Sequence, residues 1–357
     1  MKVIFSAVLD GMVTGQTVTS EFMIRCLSER SAVTVNRQPA RGTLFPVRIV
    51  CYVVLSMLRF MLVRPSISYI MLNRTRVSFY ARDLIVIVFS AIFARKLIIH
   101  VVGNDFEKYW MDIGAFGRWI YSQILKGEVV FIVLGDLMEE GIRSALSKRN
   151  LTLNFVKFPA FIDDESFQYI SHSSSRKLKV DARVKIGFMS NLIPEKGVFE
   201  FCKSIEILSK SNPGFDFWIA GKKLSGVDYS ILDELIKKGH VVYYEFISGK
   251  SKWDLLCDTD VFVLPTYYST EYLPLSIIDA LVAGCVIVSC DTGEIAEYIS
   301  NDNGLLIEPR SIAALNDILE KLAAGDVYKY DRLMIRNNII TRLDQFRQNA
   351  LDELLCQ

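Results

Sequence analysis

The stretch Asp258–Ile299, DTDVFVLPTYYSTEYLPLSIIDALVAGCVIVSCDTGEIAEYI, decides the fold. Val261–Leu264 is a short apolar run rich in β-branched residues, which predicts a buried strand. A loop follows, then a short helix that Pro274 opens and Gly284 ends, the usual placing of proline at the start and glycine past the end. Val286–Ser289 predicts a second buried strand. Strand, helix and strand in so few residues imply a parallel sheet. The loop Thr270–Pro274 then delivers backbone amides at a helix N-terminus, which suits an anion or a cluster of hydroxyls. Glu271 in the loop and Asp279 on the helix, eight residues apart, can accept hydrogen bonds from hydroxyls but repel phosphate.

The same alternation extends in both directions. Val184–Met189, Asp216–Ala220, Val241–Phe246 and Gly304–Ile307 predict further strands, with helices at Phe199–Lys210 and Ile231–Lys238. In the N-terminal half, Val3–Val8, Ile67–Leu72, Leu97–Val102 and Val129–Val133 read as strands. Thr17–Ser28 reads as a helix, followed by a basic helical region, and Phe79–Phe93 as another helix. From Phe158 to Val180 the character changes to a proline, paired aspartates and a serine cluster, as expected of a connecting segment. The expected architecture is α/β: two doubly wound Rossmann-like parallel sheets facing a cleft. The domains are residues 1–165 and 183–327, joined by a linker at 166–182, with a C-terminal helix at 328–357 packing back on the first.

The 357 residues are 51% hydrophobic and 23% charged, which excludes disordered and low-complexity scaffolds. Seven cysteines without a CxxC pair, and three histidines, offer no zinc spacing and predict buried, reduced thiols. The charge-free stretches Leu84–Ala94 and Ala280–Cys290 are eleven residues each, too short to span a membrane. The net charge of +1 divides unevenly: residues 1–160 hold 20 Lys+Arg and 11 Asp+Glu (+9), and the remainder 21 and 29 (−8). Arg30–Arg82 contains nine arginines, no lysine and no acid. Within it, LFPVRIVCYVVLSMLRFMLV places Arg48 and Arg59 on one side of an otherwise apolar helix. That pattern fits the surface of an anionic membrane, or else a domain helix with two snorkelling arginines. No nucleic-acid motif accompanies the basic residues. Asp258 and Asp260 form a DxD triplet, but at the start of a strand, away from its carboxyl end, so a polar strand entry is expected there rather than a metal site.

EYLPLSIIDA (271–280) resembles the donor motif E-G-x-P-L-x-x-x-E-A of family 4 retaining glycosyltransferases of the GT-B fold, as found in bacterial polysaccharide and O-antigen assembly. KIGFMSNLIPEKG (185–197) resembles the family's G-R-L-x-x-x-K-G, and NGLLIEP (303–309) a later family segment. The resemblance implies a metal-independent enzyme whose co-substrate is a nucleoside-diphosphate sugar of UDP or GDP type, with no other cofactor. It implies that Glu271 contacts the donor sugar, that Asp279 binds the ribose, and that Lys196 neutralises the diphosphate as the glycosidic bond breaks. Amides near Tyr272, Leu273 and Leu275 would line sugar and phosphate, with Gly221 also at the donor. Asn191 stands where the family has an arginine, and Lys222 is a candidate replacement. In DGMVTGQTVTSEF, Gly11 and Gly15 occupy the place of the family's glycine-rich loop. HVVGNDFEKYW (100–110) resembles H-L-H-G-G-x-F: His100 aligns with the first histidine, and the second, which meets the sugar, falls on Val102. A lost contact to the sugar's 6-hydroxyl would suit a 6-deoxy donor.

The expected activity is front-face transfer of a sugar to a saccharide acceptor, with the departing phosphate accepting the proton. The expected acceptor is lipid-linked, at the inner face of a bacterial plasma membrane that the basic segment 30–82 touches from the cytoplasm. A nucleotide-sugar epimerase of the same fold, and a non-catalytic assembly partner, are the alternatives.

Overall fold

A computed structural model of the chain describes residues 1–9, 15–39, 45–72, 75–102, 106–147, 152–158, 164–172, 183–211, 214–269 and 271–355. Two compact units emerge: Met1–Phe161 with Gln345–Gln357, and Ile162–Asp344.

The first unit is a parallel sheet of β1 (Lys2–Ala7), β2 (Ala32–Arg37), β3 (Ile67–Met71), β4 (Lys96–His100), β5 (Glu128–Val133) and β6 (Asn154–Lys157). The strand order is 2-1-3-4-5-6. Because side chains alternate across a strand, Val3, Phe5, Tyr69 and Met71 share one face. They pack with Phe22, Met23 and Leu27 of the Gly15–Arg30 helix and with Ala350, Leu351 and Leu354 of the Arg332–Leu355 helix. Arg30 reinforces this contact, donating to Asp352 Oδ1 at 2.7 Å and Gln348 Oε1 at 2.8 Å.

The stretch after Ser28 differs from the expected basic helical region. AVTVNR forms β2, an edge strand whose polar residues conceal its period. The helix comes later, at Phe45–Val63. It turns Tyr52, Ser56 and Phe60 inward, four residues apart, and is tied to β2 through Asn36. Asn36 Nδ2 donates to Ser56 Oγ at 3.0 Å, and Arg59 Nη1 donates to Asn36 Oδ1 at 2.7 Å. The opposite side, with Val47, Val50, Val54, Leu55, Met57, Leu58, Met61 and Leu62, is exposed to solvent. Among the described residues no helix is long and apolar enough to cross a membrane.

The second unit is a parallel sheet of β7 (Val184–Met189), β8 (Phe215–Ala220), β9 (Val241–Tyr244), β10 (Val261–Leu264), β11 (Val286–Cys290) and β12 (Gly304–Ile307), in the order 12-11-10-7-8-9. The chain winds outward from β7 to β9, then returns to lay β10 on the other side of β7. Strand order therefore reverses between β7 and β10, and in such sheets ligands bind beyond the carboxyl ends of the strands at that reversal.

Residues 164–172, expected to fall mostly in the linker, form the Asp164–His172 helix, which belongs to the second unit. Its Ser166 accepts a hydrogen bond from the Trp253 indole at 2.9 Å, a tertiary contact invisible in composition. Residues 173–182 lie outside the described residues. The Arg332–Leu355 helix enters this unit through two buried arginines. Arg332 donates to Asp260 Oδ1 and to the Cys257 carbonyl, both at 3.0 Å; Arg336 donates to the Val282 carbonyl at 3.0 Å. These carbonyls end the Gly249–Cys257 and Leu275–Ala283 helices, where cations are favoured. Cys26, Cys202, Cys257, Cys285 and Cys290 are buried thiols outside any disulfide, and burial pushes the Cys285 thiol up to about 12.

Candidate functional site

Lys196 and Glu271 arrive from the two sides of the strand reversal. Lys196 ends the short turn Pro194–Lys196 after β7, and Glu271 lies in the loop after β10. Their side chains are 12% and 9% exposed and form a direct ion pair. Gly197, with φ +83°, makes the approach possible: a Cβ there would lie 2.4 Å from the Pro265 carbonyl oxygen. The backbones are also joined, the Tyr267 amide donating to the Glu195 carbonyl at 2.8 Å. Thr266 Oγ1 donates to Glu271 Oε2 at 3.3 Å, and the Lys196 ammonium stands 5.3 Å from the Tyr268 ring centre.

A second loop braces the first from behind. The Glu294 amide donates to the Tyr272 carbonyl at 2.9 Å, the Tyr272 hydroxyl donates to the Glu294 carboxylate, and Thr292 Oγ1 donates to the Thr266 carbonyl at 2.9 Å. Gly293, at φ +60°, passes so close that a Cβ would lie 2.3 Å from the Tyr272 carbonyl oxygen. Tyr272 and Leu273 are consequently buried. Pro274 caps the Leu275–Ala283 helix from the position before its first residue, and Gly284, at φ +82°, ends it. The amides of Leu275 and Ser276, at the start of that helix, precede its first intrahelical hydrogen bonds.

One turn further along this helix, Asp279 pairs with Lys252 Nζ at 2.9 Å. Lys252, Thr266, Gly293 and Glu294 escape sequence reading of single motifs. For Lys252 a signal exists: two lysines, Lys250 and Lys252, stand in the first turn of the Gly249–Cys257 helix, where the helix dipole disfavours cations.

On the other side of β7, the chain leaving β8 is held against the chain leaving β7. Gly221, φ +149°, lies where a Cβ would stand 1.7 Å from the Ser190 carbonyl oxygen. The Leu192 amide donates to the Lys222 carbonyl at 3.0 Å. Asn191 and Lys222 are thus on adjoining exposed loops. Gly15 is the first residue of the helix after β1, and Gly11 lies outside the described residues.

His100 does not take the place expected of a group meeting a sugar. It ends β4 with no exposed surface, its Nδ1 2.5 Å from the Tyr69 hydroxyl and its ring edge-on to Phe158. Burial pushes its pKa down to about 3, so the ring is neutral. It is a core histidine, because the residues around the end of β4 close over it; Val102 packs against the same core. Asp258 and Asp260 serve the strand entry. Asp258 pairs with Lys185 at 2.5 Å, while Asp260 accepts from the Lys185 amide at 2.9 Å and from Arg332. Both acids are committed to protein partners. Among the described residues no cluster of three or more His, Cys, Asp or Glu side chains is arranged to hold a metal.

A carboxylate in the loop that leads to a helix N-terminus and the ammonium paired with it, both nearly dry, offer groups complementary to hydroxyls and to phosphate. Residues 171–340 match the family described as Glycosyl transferases group 1. A protein of Bacillus subtilis (strain 168) named as a teichuronic acid biosynthesis glycosyltransferase, TuaC, is 28% identical over 152 residues. That alignment spans 43% of this chain and 36% of TuaC. Among solved structures, sucrose-phosphate synthase from Thermosynechococcus elongatus superposes with a TM-score of 0.67, at 13% identity over 99% of this chain and 97% of that one. Anabaena HepE, solved in complex with UDP and glucose, superposes with a TM-score of 0.64 at 16% identity over 99% of both chains. At these identities the superpositions establish the fold, which is GT-B. The likeness to the glycosyl transferases group 1 family lies within the second unit, over residues 171–340.

Proposed function

We propose that this protein is a retaining glycosyltransferase that moves a sugar from a nucleoside diphosphate to an acceptor hydroxyl. The observation that carries the proposal is the Lys196–Glu271 pair at the strand reversal. Donor binding would exchange partners within this pair. The diphosphate takes the Lys196 ammonium and the helix amides, while Glu271 accepts hydrogen bonds from hydroxyls of the sugar. As the bond from the anomeric carbon to the phosphate oxygen breaks, its electron pair stays on the diphosphate. Fixed positive charge at that place stabilises the developing anion. The acceptor oxygen bonds to the anomeric carbon from the same side, and its proton passes to the departing phosphate. No protein base is required, and the neutral, enclosed His100 is not available as one.

Donor turnover followed with UDP- and GDP-sugars tests this directly. Glu271→Ala and Lys196→Ala are expected to lower it about 100-fold or more with the fold retained. Turnover unaffected by both changes would overturn the proposal, and release of a free 2-epimer in place of a glycoside would assign the site to an epimerase.

The finer reading is that the acceptor is a lipid-linked saccharide of a bacterial cell-surface polysaccharide, reached from the cytoplasmic membrane surface. The outward side of the Phe45–Val63 helix supports it. At 100° per residue the eight exposed apolar side chains cover an arc of about 160°. Arg48 and Arg59 border one edge of the arc, and Arg64 follows the last helical residue. Leu62 alone is 81% exposed. So wide an apolar face edged by cations, in a segment without an acid, suits an anionic lipid surface. Flotation with anionic liposomes at low salt is expected, and weakened by Leu62→Gln with Val50→Gln. Indifference to anionic lipid would remove this part of the reading without touching the donor site.

A further inference from the structure

Asp279 is one methylene shorter than the glutamate usual at its place in the resembling motif, so its carboxylate stops about 1.5 Å short. The structure fills that gap. Lys252, from the first turn of the neighbouring Gly249–Cys257 helix, brings its ammonium to 2.9 Å from Asp279 Oδ2. The two side chains are 21% and 19% exposed, so the pair is half-sheltered yet reachable by a ligand. The Lys252 ammonium also rests 4.2 Å from the ring centre of Trp253, which is itself fixed by its hydrogen bond to Ser166. The lysine is therefore held on both sides.

Stability alone does not explain it. A partly exposed ion pair contributes little to folding, and a lysine in the first turn of a helix opposes the helix dipole. What the pair does offer is an acceptor and a donor side by side. That is the complement of a cis-diol, in which one hydroxyl donates and its neighbour's oxygen accepts.

We propose that Lys252 is a specificity-determining residue that, with Asp279, grips both ribose hydroxyls of the donor nucleotide. Asp279 accepts from the 3′ hydroxyl and the Lys252 ammonium donates to the 2′ oxygen. The inference rests on the donor reading of this site and adds that ribose is recognised by a pair of opposite charges rather than by a carboxylate alone. It further implies that nucleotides lacking either hydroxyl bind poorly.

Calorimetric titration of the full chain with UDP, GDP and their 2′-deoxy counterparts tests it. The wild-type protein is expected to bind its preferred ribonucleotide at least about tenfold more tightly than the 2′-deoxy form. Lys252→Met is expected to weaken the ribonucleotide about tenfold and to bring the two forms within about threefold of each other. Lys252→Arg, which keeps the charge and a donor, should recover part of the preference. Lys196→Met should weaken both forms alike and leave their ratio unchanged. Full discrimination in Lys252→Met, with thermal unfolding unchanged, overturns the proposal. So does loss of the diphosphate-over-monophosphate preference with ribose discrimination intact, since that outcome puts Lys252 on phosphate. If the wild-type chain binds neither UDP nor GDP, the donor reading itself falls, and Lys252 falls with it.

Discussion

The carboxylate of Glu271 is closed on the ammonium of Lys196, and the Thr266 hydroxyl holds the same carboxylate oxygen from the side. Neither charge faces open water, so each depends on the other. Lys196→Met leaves Glu271 nearly buried with a single weak donor and is expected to destabilise the unit by about 1–3 kcal/mol. Adding Glu271→Gln should recover much of that loss while donor turnover stays lowered. Paired denaturant unfolding and turnover measurements on the two variants check both halves.

The contact of Gly293 with the Tyr272 backbone predicts a loss of a different kind. Gly293→Ala places a methyl group inside van der Waals distance of the Tyr272 and Glu271 carbonyls and forces a left-handed residue to carry a side chain. A penalty of about 1–3 kcal/mol is expected. Because the strain falls on the loop that carries Glu271, the donor KM should rise as well. A lowered melting temperature with an unchanged KM would show that the brace does not position that loop.

Asp260 and Arg332 form a pair with almost no exposed surface. Breaking it from one side leaves an uncompensated buried charge, so Arg332→Met is expected to cost about 3–5 kcal/mol. The double variant Arg332→Met with Asp260→Leu should cost less than the single changes added together. Equilibrium unfolding of the four proteins measures the coupling.

His100 makes stability depend on pH in a defined window. Unfolded, the ring titrates near 6.5; folded, burial holds it neutral down to about 3. Between those values the unfolded chain binds the extra proton. The stabilisation is therefore complete above about 6.5 and is lost as pH falls, by up to about 1.4 kcal/mol per pH unit. His100→Gln should flatten this slope between about pH 6.5 and pH 5, measured as the change in denaturant midpoint.

Strands β10 and β11 were legible because each is a continuous apolar run buried on both faces, VFVL and VIVSC. The loop that carries Glu271 was legible because a proline and a glycine frame the helix after it. Strand β2 was not, since it pairs along one side only and places Thr34, Asn36 and Arg37 among its valines. The helix Asp164–His172 was hidden by its polar composition, DESFQYISH, and is recognisable only through what it packs against. His100 could be aligned by register but not by environment: the same histidine at the end of a strand faces a ligand or the core according to which neighbours close over it. Lys252 lies 27 residues before Asp279, and only the pairing of their helices brings them together.

The Arg332–Leu355 helix carries a lesson about timing. The first unit begins at the N-terminus, yet Ala350, Leu351 and Leu354 belong to its hydrophobic core. A ribosome releasing this chain would expose β1 to β6 long before those residues emerge. The second unit, nearly contiguous in sequence, can close first, and the first unit must wait with part of its apolar face uncovered. Sequence separation of that kind slows folding and favours aggregation. Truncation in the last helical turns should therefore be felt at the opposite end of the polypeptide, as poor yield of a protein whose second unit is itself intact.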